Sequence, residues 1–150
     1  MDSRNSTLGF AARARKNLLY IQNSFDRGAD VHVVTQLAIS LLGLVVFPHE
    51  RGFSDRAKCA KLSDLASQGW PTLNMTGATC QTLGDLIKFL RHSIAHGQVR
   101  FSSDSRQIGE VVIEFSNKPK GKPQLHWTGS IAAVNLQALC LRFIDFIEES

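Results

Sequence analysis

The chain has no apolar run long enough to cross a membrane. Its most apolar stretch, Leu37–Phe47, is 11 residues, where a helical span needs about 20. Cysteine is scarce: Cys59, Cys80 and Cys140 are the only three. They cannot all pair within one chain, and they lack the C-x-x-C spacing of a zinc or redox site. The expectation is reduced, mostly buried thiols in a cytoplasmic protein. Proline is scarce at 4 and glycine ordinary at 11 among 150 residues, a composition that excludes disorder and a low-complexity tail. The segment Met1–Asn17 carries Arg4, Arg13, Arg15 and Lys16 without an apolar block, so no secretory signal is expected. Acidic side chains are outnumbered, 13 against 17 Lys and Arg.

The rest is ordinary for a folded domain, with 43% hydrophobic and 20% charged residues. The length suits one domain over residues 1–150. A chain of this size buries roughly 68–70% of its unfolded surface and holds a core without staples. The net charge of +4 permits a polyanionic partner without requiring one.

Hydrophobic spacing predicts helices over most of the chain. Ala11, Ala14, Leu18, Ile21 and Phe25 form one stripe of a helix from Ser6 to Asp26. A second helix, capped by Asp30, runs to about Phe47 and is stopped by Pro48. It is apolar nearly all round, as befits a central core helix or one shared with a partner subunit. A short helix follows from Ser54–Asp55 to about Ala66, then a loop over Gly69–Gly77. Thr82 and Asp85 resemble a capping box, with Thr79 as an earlier start. Leu83, Leu86, Ile87, Leu90 and Ile94 form the stripe of that helix, and Gly97 ends it. The period then changes to two. Val111, Ile113 and Phe115, then Leu125 and Trp127, mark a β-hairpin with an eight-residue loop, Ser116–Pro123. A last helix spans Ser130 to Glu148. The expected class is all-α: a bundle of four main helices and one short helix, with a β-hairpin inserted before the C-terminal helix.

Histidine is the side chain that titrates nearest neutrality, so the five histidines are the first candidates for chemistry. His92 and His96 are i, i+4 neighbours in Leu90-Arg91-His92-Ser93-Ile94-Ala95-His96-Gly97. Ser93 borders them. Arg91 lies five residues from His96, about 140° around an ideal helix. It shares a site with His96 only by wrapping its long side chain or by acting with a second subunit. The bland alternative is a solvated helix end, with cations at the negative pole of the helix dipole. A two-histidine metal site would need a third ligand, for which only Glu50 stands out, so no metal and no cofactor are expected.

Arg91-His92-Ser93-Ile94-Ala95-His96 resembles the R-x-x-x-x-H signature of the HEPN superfamily, in the form where a polar residue follows the arginine. Leu41-Leu42-Gly43-Leu44-Val45-Val46-Phe47-Pro48 is similar to a HEPN branch found on plasmids and other mobile or defence-linked bacterial loci. The resemblance implies a metal-independent endoribonuclease, working as a homodimer with paired motifs at the interface. Carried over, Arg91 and His96 are the catalytic pair and His92 their polar support. The chemistry is coherent. A ribose 2′-OH must lose a proton to attack the neighbouring phosphate, and the 5′-oxygen must gain one to leave. An imidazole serves either transfer, and a guanidinium clamps the phosphate oxygens. The resemblance also implies a toxin or defence role, with a possible antitoxin protein as partner. It stops short at one position. HEPN toxins paired with a nucleotidyltransferase carry an adenylylated Tyr two residues after the motif His. Here that residue is Gln98, and the one Tyr is Tyr20.

Other residues are candidates for RNA contact. Lys118, Lys120 and Lys122 would face one way if their loop were extended; the alternative is a solvated loop. His49, Glu50 and Arg51 follow the second helix and would form a wall of the site, or simply a polar loop. Trp127 and Phe115 would stack on bases, or pack the hairpin onto the bundle. The principal expectation is a ribonuclease whose partners are RNA and a second copy, with no membrane. The alternative is a HEPN module that binds RNA or a protein without cutting.

Overall fold

The computed structural model describes residues 3–46 and 53–149. Six α-helices and four strands follow in the described residues, with two short 3-10 turns. They are α1 (Ser3–Asp26), α2 (Val33–Val46), α3 (Phe53–Cys59), α4 (Leu62–Ser67), β1 (Asn74–Gly77), α5 (Leu83–Ala95), β2 (Val99–Phe101), β3 (Val112–Asn117), β4 (Trp127–Ala132) and α6 (Ala133–Glu148).

The fold is mixed α/β, which corrects the all-α expectation. The strands form one antiparallel sheet in the order β1-β4-β3-β2. The expected hairpin is its centre, with β1 and β2 added at the two edges. Gly69–Gly77 is therefore not all loop: Asn74–Gly77 pairs with Trp127–Ser130. The second strand of the hairpin also sits later than expected. It begins at Trp127, while Leu125 lies in a 3-10 turn and is exposed. Ser130–Ala132 is strand rather than the first turn of α6. The expected helix from Ser54 to Ala66 is two helices. Between them, Ala60 and Leu62 bond to Leu83 and Gln81 at the entry to α5, and Lys61 bridges Thr82. These long-range bonds outweigh continuation of the helix.

One face of the sheet is buried. Ile113, Phe115 and Asn117 of β3 and Trp127, Gly129 and Ile131 of β4 point inward, alternating with more exposed residues. Trp127 explains the strand glycine beside it. A side chain at Gly129 would meet the indole at 2.6 Å, so the glycine makes room for a ring folded over the strand. The indole stacks on Phe89 of α5, centroids 5.0 Å apart and planes 8° from parallel. That stack fixes α5 against the sheet.

α6 places Leu136, Leu139, Phe143, Ile144 and Ile147 in the core. Cys140 joins them, and burial pushes its thiol up to about 12. Cys80 is half-buried and also raised to about 12, by burial and then by Asp85. Cys59 is exposed, which departs from the expectation of mostly buried thiols, and all three are free. α2 packs Val34, Leu37, Leu41, Leu44 and Val45 into the same core. Its other side is apolar but uncovered: Ile39 is 59% and Leu42 40% exposed. No helix among the described residues is long and apolar enough to cross a membrane.

Candidate functional site

The motif residues lie in the last turns of α5. Thr82 begins this helix: its hydroxyl accepts the Asp85 N–H at 3.1 Å, and the Asp85 carboxylate accepts the Thr82 N–H at 3.1 Å. The pair is a capping box, and the carboxylate also faces the positive pole of the helix dipole. Leu83, Leu86, Leu90 and Ser93 recur at 3-4-3 spacing and are buried. The other end closes as a Schellman motif. Gly97, at φ +65°, donates to the Ile94 carbonyl at 3.1 Å, and Gln98 donates to that of Ser93 at 2.8 Å.

This geometry sorts the candidates. Ser93 is on the core side, fully buried, with its hydroxyl donating to the Phe89 carbonyl at 2.8 Å. It offers no surface to a ligand. His92 and Arg91 are half-buried. His96 is the C-cap residue, exposed, with its N–H on the His92 carbonyl at 3.0 Å. Burial holds the His92 imidazole below its ordinary value, and the charges of Arg91, Lys88 and His96 push the same way. Arg91, Lys88 and His96 thus all reach His92 electrostatically, and each disfavours its protonated form.

The His92 shift has a consequence for stability. An unfolded His92 takes up its proton near 6.5, and the folded one does so only at lower pH. Between those two values the unfolded chain binds more protons, so stability rises with pH through the window just below 6.5 and is complete above it. Urea unfolding at pH 7.5 and 5.5 is expected to show a larger acid loss for wild type than for His92→Gln. A smaller loss in wild type would contradict the shift.

The remaining candidates are placed as follows. His49, Glu50 and Arg51 lie outside the described residues. Lys118, Lys120 and Lys122 are exposed in the β3–β4 loop. That loop is not the extended zigzag expected. Lys122 donates to the Pro119 carbonyl at 3.4 Å across a turn with Gly121 at φ +71°, so alternation does not align the three lysines. The loop nevertheless starts beside the motif, because Lys118 N–H donates to Gln98 Oε1 at 3.3 Å. Trp127 and Phe115 are buried and belong to the packing. Among the described residues no group of three His, Cys, Asp or Glu could hold a metal ion.

Next to the motif end runs an open apolar groove of about 310 Å³. Ile39 and Leu42 of α2, Ile94 and Gly97 at the end of α5, and Val99 and Phe101 of β2 line it. Phe101 is 45% exposed.

The family model described as HEPN pEK499 p136 matches residues 1–150, the whole chain. The chain belongs to this HEPN family. It is the plasmid-associated kind of HEPN domain that the motif and the Leu41–Pro48 segment resemble. Membership makes it a nuclease or RNA-related module in the general sense. No curated protein and no solved structure matches it significantly.

Two features of this HEPN chain escape reasoning from the motif alone. Lys88 acts on His92, an influence visible as i, i+4 spacing. Gln98, just past the motif, is bonded to the helix end, to β3 and to the lysine loop. Its partners lie up to 20 residues along the chain, and no local pattern signals them.

Proposed function

We propose that this HEPN chain is a metal-independent endoribonuclease that cuts RNA by 2′-OH transesterification, acting as a toxin or in defence against mobile elements. The observation that carries the reading is the end of α5, where Arg91 and His92 are half-buried and His96 is exposed at the cap. In this reading the exposed His96 takes the proton of the attacking 2′-OH or gives one to the departing 5′-oxygen. Arg91 holds the non-bridging phosphate oxygens and meets the charge that grows there. His92, whose protonated form is disfavoured by burial and by the neighbouring charges, supports both through its ring nitrogens.

The active unit in this reading is a homodimer. Two features support that: the 140° helical separation of Arg91 and His96, and the exposed apolar residues Ile39, Leu42 and Phe101 beside the motif end. Covering that groove with a second copy would bring two motifs towards one cleft. Two cation clusters there would repel, and a bound RNA would relieve the repulsion and tighten the dimer. A small neutralising protein is the expected partner of a toxin of this kind.

Purified protein incubated with mixed RNAs in EDTA is expected to cut them, and to sediment as a dimer at micromolar concentration, more tightly with a non-cleavable RNA. RNA retention without cutting would favour a binding module instead. Cutting by a strict monomer would remove the shared cleft and leave the nuclease assignment standing.

A further inference from the structure

Gln98 joins three segments through three hydrogen bonds. Its N–H closes the end of α5 on Ser93, and its carbonyl accepts the Ser116 N–H of β3 at 2.9 Å. Its side-chain Oε1 accepts the N–H of Lys118, the first residue beyond β3, at 3.3 Å. The first two bonds use only backbone, which any non-proline residue supplies. The third needs this side chain.

The register shows what the side chain replaces. Val99 pairs with Phe115, so positions 98 and 116 face each other and the next hydrogen-bonded pair would be 96 and 118. The acceptor due to Lys118 is therefore the carbonyl of His96. The helix end has carried that residue out of the ladder, where it caps α5. The Gln98 amide stands in for the missing carbonyl and extends the β2–β3 pairing by one bond. Lys118 is thereby held in register with the motif.

We propose that Gln98 is a positioning residue that fixes the root of the Lys118–Lys122 loop beside the Arg91–His96 motif, so that loop and motif bind one continuous stretch of RNA phosphates. The inference rests on the RNA-cutting reading above. Every non-bridging phosphate oxygen along a single strand carries the same charge, so a cationic loop fixed at a set distance from the motif grips the flanking nucleotides without reading their bases.

Gln98→Leu keeps the bulk and removes the acceptor. Hydrogen exchange at the Lys118 amide is expected to quicken. With a 2′-O-methyl RNA, the slope of log affinity against log salt is expected to weaken by about 0.7 for each phosphate that the loop no longer neutralises. On cleavable RNA, KM is expected to rise about three- to tenfold with kcat near wild type. Lys118→Ala, at an exposed site, is expected to weaken the salt slope alike, and the double variant to lose little more than either single one. Additive losses, or an unchanged slope in Gln98→Leu or in Lys118→Ala, would overturn the proposal and leave the nuclease reading intact. Failure of the wild-type protein to bind RNA at all would overturn that reading with it.

Discussion

His96→Ala is expected to lower the rate of RNA cleavage about 10²–10⁴-fold, the range for loss of a positioned proton-transfer group. Folding should change little, for reasons visible at the helix end. The imidazole is exposed and lies outside the core. The bonds that close α5 here are backbone bonds: His96 N–H to His92, Gly97 to Ile94 and Gln98 to Ser93. Alanine retains them all. Circular dichroism and the urea midpoint should therefore match wild type while single-turnover cleavage collapses. Undiminished cleavage would take the proton-transfer role from His96, and a variant that unfolds would contradict the structural account of the cap.

Trp127→Ala is expected to cost about 3–5 kcal/mol, the usual range for truncating a buried aromatic. The indole is 1% exposed, lies against Phe89 at 5.0 Å and occupies the space left by Gly129. Removing it leaves a void between Phe89 of α5 and the sheet. Its Nε1 is buried without a hydrogen-bond partner among the described residues, so Trp127→Phe, which removes that donor, should cost less. Leu125→Ala, two residues earlier and 43% exposed, should stay within about 0.5 kcal/mol. Urea unfolding followed by far-ultraviolet circular dichroism measures all three. Equal costs for Trp127→Ala and Leu125→Ala would mean that β4 does not begin where the register places it.

The helices α1 and α5 were legible because each carries its own evidence. The Ala11–Leu18 stripe, the Thr82–Asp85 capping box and the Gly97 stop are contained within one element, and all appear in the structure. The sheet was legible only at its centre. β1 is four residues, all exposed, without apolar alternation, and β2 is three. Each exists because a partner 50 or so residues away in β4, or about 15 away in β3, supplies the hydrogen bonds. Gly129 is the small neighbour that Trp127 requires, and no local pattern signals that demand. The break between α3 and α4 is set likewise by bonds to the entry of α5 rather than by a local stop signal.

The candidate site divides along the same line. That His92 and His96 share a helix end follows from their spacing, as does the reach of Lys88. Ser93, equally close in sequence, falls on the core side because the Leu83–Leu86–Leu90 stripe continues through it. The proximity of the lysine loop to the motif was not legible, since it depends on the β2–β3 register and on one glutamine side chain.

Cleavage by the RNA's own 2′-OH under the control of the α5 motif leaves its mark in the chemistry of the products. A defined RNA oligonucleotide is incubated with the protein in EDTA, beside the same oligonucleotide carrying one deoxyribose at the cut position. Fragments ending in 2′,3′-cyclic phosphate are expected from the first, and no cut at the substituted position in the second. Cleavage next to the deoxyribose at a similar rate, or 3′-hydroxyl ends from the all-ribose strand, would contradict 2′-OH attack.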